Sequence, residues 1–72
     1  MKKYPYSLIE HGNELEHAKG VLWRRNDSYA LYAIRKINEI LAKESPWQPN
    51  VVWLTGPELG FAKKIIQETS RR

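Results

Sequence analysis

Apolar residues recur at helical spacing between residues 27 and 43, and this stretch carries the strongest structural signal in the chain. At about 100° per residue, one broad arc of such a helix is apolar and comprises Ala30, Leu31, Ala33, Ile34, Ile37, Ile40 and Leu41. Short polar side chains at 26–28 suit an N-cap, and Pro46 disfavours continuation beyond the mid-forties. The pattern predicts a helix over about 27–43 that is buried along one side.

A second helix is predicted over about 57–70, directly after a short strand at 51–55. The strand sequence, Val-Val-Trp-Leu-Thr, is β-branched and aromatic and lies between turn-forming residues. Thr55 can cap the helix, Pro57 suits its first position, and Glu58 complements its dipole. The apolar stripe that follows consists of Leu59, Ala62, Ile65, Ile66 and Thr69.

The first 25 residues allow two interpretations. In one, residues 13–24 form a helix whose apolar face holds Leu15, Ala18 and Leu22. In the other, residues 20–24 form a buried strand. We favour the strand at 20–24, because a lone strand at 51–55 would leave buried backbone groups without hydrogen-bond partners. The helix between 20–24 and 51–55 would then complete a parallel β-α-β unit. Independently of this choice, residues 6–9 could add a short edge strand as the third strand of the sheet.

The predicted fold class is therefore α+β. Its elements are two amphipathic helices (about 27–43 and 57–70) and a small two- or three-stranded sheet (about 6–9, 20–24 and 51–55). The alternative is an all-α protein with three helices, at about 13–24, 27–43 and 57–70. With 72 residues, the chain is expected to form a single small domain, residues 1–72.

The composition of the chain predicts where in the cell the protein is found and how its charge is distributed. The chain has no cysteine, no apolar run of membrane-spanning length, and no apolar stretch behind its basic opening. We therefore expect a cytoplasmic protein without a signal peptide or a membrane span. The net charge is +4, and it is unevenly distributed. Residues 8–18 carry three glutamates and no Lys or Arg, residues 19–25 carry three cations, and the tail is basic through Lys63, Lys64, Arg71 and Arg72.

Motifs for catalysis, metals or nucleotides are weak. His11 and His17 are six residues apart. Neither on a helix nor on a strand would this spacing bring both side chains to one metal ion. The chain has no cysteine nucleophile, and no serine lies in a Gly-x-Ser-x-Gly turn. The segment 56–63 resembles a phosphate-binding loop only in context, since its glycines are too close together and Pro57 removes an N–H donor. We expect no catalytic residue, metal ligand or cofactor, and no enzymatic activity.

A basic and aromatic face is predicted at the start of the first long helix. Cations can contact phosphates and tyrosine rings can stack on bases, so this face suits DNA or RNA. Its candidate residues are Arg24, Arg25, Tyr29, Tyr32, Arg35 and Lys36.

A second candidate surface is aromatic. Trp47 lies between two prolines in the stiff connector 44–50, and Tyr4 and Tyr6 lie near the N-terminus. Trp23 and Trp53 fall in apolar runs and are expected in the core. Trp47 either folds back as a lid or is an exposed anchor, and tryptophan is enriched at binding hot spots.

The function predicted from these features is a small non-enzymatic binding module. Its partner is expected to be another protein or a second copy of the chain, with Trp47, Tyr4 and Tyr6 as contact residues, so that it acts as an interaction domain or as an accessory or regulatory subunit. The alternative is a nucleic-acid-binding domain that uses the basic and aromatic helix face. A third hypothesis is a subunit that contributes to a composite enzyme site.

Overall fold

The computed structural model describes residues 2–70. Along the chain it contains a strand, two helices, a second strand and a third helix. Their bounds are β1 at Lys3–Ser7, α1 at Leu8–Arg25, α2 at Ser28–Leu41, β2 at Val51–Thr55 and α3 at Gly56–Thr69. The predicted α+β class is confirmed. The predicted helices at about 27–43 and 57–70 correspond to α2 and α3, and the strand at 51–55 to β2.

The predicted strand at 20–24 is wrong, because these residues form the last part of α1. The helix begins after Ser7, whose hydroxyl accepts a hydrogen bond from the N–H of Glu10 at 3.3 Å. Its buried residues lie at helical spacing and are Leu15, Ala18 and Leu22. Periodicity sustained over the whole helix thus outweighs the local β-propensity of a short apolar run. The helical interpretation of 13–24 is the correct one for this segment, within a longer helix.

β1 and β2 form a two-stranded antiparallel sheet, in which Tyr6 lies opposite Val52 and Pro5 lies opposite Trp53. β1 begins and ends earlier in the chain than the strand predicted at 6–9, of which only the first two residues are extended. The predicted parallel unit is wrong as well. β1 supplies the hydrogen-bond partners that β2 requires, so no strand from the middle of the chain is needed.

The buried apolar side chains come from all five elements and form one cluster. They are Tyr6, Leu15, Ala18, Leu22, Ala30, Ala33, Ile37, Ile40, Val52, Leu54, Ala62 and Ile65. Side chains of a strand alternate between its two faces, so Val52 and Leu54 point inward while Trp53 points outward. One face of the sheet therefore packs on the helices, and the residues of the other face are partly or fully exposed.

The connection between α1 and α2 is only two residues long. Asn26 has a left-handed backbone with φ 51°, and its N–H donates to the carbonyl of Leu22. The side chain of Asp27 then caps α2 by accepting the N–H of Ala30 at 2.7 Å. This pair of caps reverses the chain and brings α2 back along α1.

No helix within residues 2–70 is long and apolar enough to cross a membrane. The tail residues Arg71 and Arg72 lie outside the described residues.

Candidate functional site

Trp47 lies at the tip of a β-turn in the connector between α2 and β2. The N–H of Gln48 donates to the carbonyl of Ser45 at 3.3 Å, which closes the turn around Pro46 and Trp47. Proline at the second position presets the backbone angle that such a turn needs. The Trp47 side chain does not fold back as a lid, since the residue is 89 % exposed.

The base of this connector is fixed to the rest of the molecule. The Glu44 carboxylate accepts a hydrogen bond from the N–H of Asn50 at 2.5 Å. Asn50 has a left-handed backbone with φ 69°, and its carbonyl accepts the N–H of Leu8 at 2.7 Å. The connector is thereby joined to the first residue of α1. Trp47 is held out on a constrained loop, so less backbone freedom remains to be lost when a partner covers it.

Trp53 continues the exposed surface on the outer face of the sheet. It is 41 % exposed, and its indole N–H donates to the side-chain carbonyl of Gln48 at 2.6 Å. The neighbouring strand places Pro5 opposite it. We call Trp47, Gln48, Trp53 and Pro5 the tryptophan surface. Three of its four members belong to residues 45–57, the longest uncharged segment of the chain.

The other predicted contact residues are not all part of this surface. Tyr4 is partly exposed and lies opposite Leu54, so its ring is on the helix side of the sheet. Tyr6 is only 5 % exposed and belongs to the core, where its ring stacks on His11 with centroids 4.8 Å apart. Burial, and to a lesser extent the charge of Glu14, raises the pKa of Tyr6 to about 12. The Tyr6 hydroxyl has no hydrogen-bond partner among residues 2–70.

Two tryptophans that the sequence places in the core are exposed. Trp53 alternates with buried Val52 and Leu54, and this period of two is the sequence signal that could have identified it as outward-facing. Trp23 is 69 % exposed on α1, next in sequence to fully buried Leu22. For Trp23 the signal is the helical spacing of the buried residues, which leaves position 23 off the buried face.

The basic and aromatic face of α2 is exposed, but many of its groups contact each other. The Arg25 guanidinium lies 3.0 Å from the Asp27 carboxylate and 5.7 Å from the centroid of the Tyr29 ring. The Tyr29 hydroxyl donates to the carboxylate of Glu68, on α3, at 3.4 Å. Hydrogen bonding to the N–H of Ala30, and then to Arg25, lowers the pKa of Asp27.

The same pattern recurs one turn further along α2. The Lys36 ammonium lies 4.0 Å from the Glu39 carboxylate and 5.7 Å from the centroid of the Tyr32 ring. Among residues 2–70, Arg24 and Arg35 make no ion pair. Of the four cations predicted to contact nucleic acid, two are therefore already paired within the chain.

The remaining polar cluster lies in an open groove between α1 and α3. The groove has a volume of about 240 Å³, and its lining includes Tyr6, His11, Glu14 and Lys63. His11 Nδ1 lies 2.9 Å from the Glu14 carboxylate, one helical turn away. Within residues 2–70, no group of three His, Asp or Glu side chains could hold a metal ion. His17 is an exposed residue of α1 and lines a neighbouring groove together with Glu14 and Ile66.

Comparison of the chain with protein-family models, with curated proteins and with solved structures gave no match.

Proposed function

We propose that this protein is a non-enzymatic binding module that recognises another protein through the tryptophan surface. The observation that carries the proposal is the position of Trp47, which is 89 % exposed at the tip of a turn whose base is hydrogen-bonded to α1. A large apolar ring in water is unfavourable, and Trp47 is not part of the core formed by residues 2–70. Enclosure by a partner supplies a reason for its placement.

The free energy available from this ring is substantial. Fully burying a large apolar side chain contributes roughly 1.5–3 kcal/mol, and tryptophan anchors at interfaces reach 2 kcal/mol or more. A loss of about 2 kcal/mol corresponds to a dissociation constant that is roughly 30-fold weaker. Because the turn is constrained, less of this contribution is offset by ordering of the loop.

The chemistry of the tryptophan surface points to an uncharged complement. The contact residues contain no ionic group, and Gln48 and the Trp47 indole offer only neutral hydrogen-bonding groups. The matching surface would be an apolar or aromatic pocket with one or two neutral polar groups at its edge. Its binding should change little with salt, because screening acts on interactions between charges.

Nucleic acid is the second candidate partner. The observation that favours it is that two arginines near exposed tyrosine rings are not engaged in ion pairs among the described residues. Arg24 and Arg35 make no ion pair among residues 2–70, and Tyr32 is exposed on the same helix as Arg35. Phosphate contacts by such groups release counterions, so the affinity would fall steeply with salt. We rank it second, since Arg25 and Lys36 would have to leave their carboxylate partners.

The test is site-specific photo-crosslinking of the full chain in its own cells. A photoreactive phenylalanine analogue replaces Trp47 in one sample and Lys64, an exposed residue of α3, in the control. We expect one dominant protein adduct from position 47, absent from position 64. The partner so identified should then bind purified wild-type protein, and the Trp47→Ala variant at least about 10-fold more weakly.

Two outcomes would contradict the proposal. One is an adduct pattern at position 47 that matches the pattern at position 64. The other is equal affinity of the wild-type protein and the Trp47→Ala variant for the identified partner. Binding of DNA or RNA in a gel shift that disappears from about 0.05 M to about 0.5 M salt, and is lost in Arg35→Glu, would replace it with the second candidate.

A further inference from the structure

Each strand of the sheet has one edge that the other strand does not cover, which we call its free edge. One step beyond the pair of Ser7 and Val51, the N–H of Leu8 donates to the carbonyl of Asn50 at 2.7 Å and continues the ladder. Bonded and non-bonded pairs alternate along an antiparallel ladder. Even-numbered residues of both strands therefore bond across the sheet, and odd-numbered residues turn their backbone groups toward the free edges.

Two further observations agree with this assignment. The N–H of Thr55 donates to the side chain of Glu58 at 2.9 Å and not to β1. Pro5, which has no N–H, occupies a position of β1 that does not need one for the ladder. By this alternation, the N–H and C=O groups of Val51 and Trp53 lie on the free edge of β2. Within residues 2–70, no turn, cap or side-chain hydrogen bond uses these groups.

The two free edges differ in how they are protected against pairing with another chain. On β1, Pro5 leaves one position without a donor, and Lys3 adds a charge. Proline and lysine are residues with which proteins commonly block an edge strand. The sequence of β2, Val-Val-Trp-Leu-Thr, contains neither a charge nor a proline. Trp53 is exposed and Val51 is partly exposed, so the edge of β2 is the one that lacks such protection.

We propose that the partner of the tryptophan surface contributes an extended segment, which adds to the free edge of β2 as a third strand. The backbone donors and acceptors of Val51 and Trp53 recur about 7 Å apart along the edge. Another extended backbone offers its own groups at the same spacing, whereas a helix bonds its groups internally, so this edge fits a strand. The inference rests on the proposed function, because Trp53 belongs both to the tryptophan surface and to the edge.

The position of Trp53 defines the chemistry of the segment. A residue of the added strand would lie directly opposite Trp53, with its side chain on the same face of the sheet. It would cover the indole ring from the side opposite Pro5, and a β-branched or aromatic side chain suits that contact. Proline is excluded at the residues that donate to β2. We expect an uncharged segment, since residues 45–57 carry no charge.

The first test is amide hydrogen exchange of the free protein, followed by NMR. Val52 and Leu54 bond to β1, so after correction for intrinsic rates their N–H groups should exchange at least about 10-fold more slowly than those of Val51 and Trp53. All four residues belong to one strand, so its overall stability cancels. Slow exchange at Val51 and Trp53 in dilute protein would show that their edge is already covered and would overturn the proposal. Slow exchange only in concentrated protein would assign the edge to a second copy and would overturn it too.

The second test uses a displayed library of random linear peptides of about ten residues, long enough for one strand. The library is selected on the immobilised full chain, and a selected peptide is synthesised. We expect this peptide to slow the exchange of Val51 and Trp53. The internal control is Ser7, whose N–H lies on the free edge of β1 and should be unaffected. A library without binders, or a binder that leaves Val51 and Trp53 unprotected, would contradict the proposal.

The third test is an N-methyl scan of the selected peptide. N-methylation removes one donor and places a methyl group between the strands, and only every second residue of a third strand bonds to β2. The affinity should therefore fall at least about 10-fold at alternate positions and change little at the positions between them. Equal losses along the peptide would refute strand addition.

The Trp47→Ala variant separates this inference from the proposed function. A peptide that keeps both its affinity and the alternating N-methyl pattern on Trp47→Ala would support the added strand and remove Trp47 from the binding site. A peptide that loses affinity for Trp47→Ala but shows no alternation would support the tryptophan surface and overturn the added strand. If both proposals hold, the peptide alternates on the wild-type protein and binds Trp47→Ala more weakly.

Discussion

The turn that carries Trp47 and the outer face of α2 both expose aromatic rings, but the rings differ in what they already contact. Tyr29 and Tyr32 each lie under a cation, and the Tyr29 hydroxyl bonds to Glu68 on α3. Trp47 lies at a turn tip and is almost completely exposed. On the outer face of α2, the rings of Tyr29 and Tyr32 already contact other groups of the chain. The ring of Trp47 is exposed to solvent instead.

This difference shows why exposure by itself is a poor guide to a binding site. A side chain that already has partners loses them when something else binds, so its net contribution is small. Weak surface pairs such as Lys36 with Glu39 add little stability either. The ring of Trp47, on a constrained turn and 89 % exposed, has mainly contacts with solvent to lose. For this reason the tryptophan surface carries the proposed function and the α2 face is ranked second.

The largest expected effect is a difference in the loss of stability between substitutions on the two faces of β2. Leu54 is fully buried, and its neighbour Trp53 points outward on the tryptophan surface. Leu54→Ala should destabilise the protein by roughly 2–5 kcal/mol through lost burial and a cavity. Trp53→Ala should cost clearly less, because much of its ring remains in contact with water. Urea unfolding of both variants measures the difference. Equal losses would make Trp53 a core residue and would remove it from the tryptophan surface.

A smaller loss of stability is expected from a substitution at the N-terminus of α2, where Asp27 lies beside the basic and aromatic face. Asp27 caps α2 and also pairs with Arg25. Asp27→Ala should therefore lower the midpoint of thermal unfolding, whereas Trp47→Ala should change stability by no more than about 0.5 kcal/mol. Asp27→Asn is the matched control, because asparagine keeps the cap without the charge. If Trp47→Ala destabilised the protein as much as Asp27→Ala, the ring of Trp47 would have partners in the fold and the comparison would fail.

The helices α2 and α3 could be predicted because their signals are local. Each has a cap candidate, a period of about 3.6 residues and a nearby proline, all within one short window. The start of α1 was missed, because residues 6–9 were predicted as a strand; the signal that could have found it is the Ser-x-x-Glu spacing of Ser7-Leu8-Ile9-Glu10. The short apolar run at the end of α1 also favours a strand. Only the helical periodicity over the whole of α1 decides between a helix and a strand for this segment.

The sheet and the candidate sites depend on contacts between distant parts of the chain. The local sequence of β1 does not predict that it pairs with β2. Pro5 also makes the sequence of β1 less typical of a strand. The outward position of Trp53 follows from the alternation once the strand is known, but the bond from its indole to Gln48 does not. The bond between Tyr29 and Glu68 joins residues on two helices. The sequence could therefore nominate Trp47 and the α2 face, while their partners required the fold.

A third effect, in acid, concerns the residues that hold the connector beside α3. The N–H of Thr55, and then Lys43, lower the pKa of Glu58 from its usual 4.5. A depressed carboxyl pKa stabilises the fold above about pH 4.5, and this contribution is lost as the pH falls through the lower folded value. Wild-type stability should therefore decline below about pH 4.5 more steeply than that of Glu58→Gln. Urea midpoints from pH 6 to pH 3 measure both slopes, and parallel slopes would show that Glu58 is not specially held.

The smallest effect at neutral pH is expected for Tyr6, whose ring is buried and whose hydroxyl has no partner among residues 2–70. Tyr6→Phe keeps the ring and removes only that hydroxyl, so its stability at pH 7 should equal or slightly exceed that of wild type. In alkali the two should diverge. The unfolded phenol ionises near pH 10, whereas in the fold its pKa is raised to about 12, so wild type loses stability between these values and the variant is spared that loss. A marked destabilisation of Tyr6→Phe at pH 7 would show that the hydroxyl is bonded in solution, and Tyr6 would then resemble Tyr29, whose contacts lie within the chain, more than the open ring of Trp47.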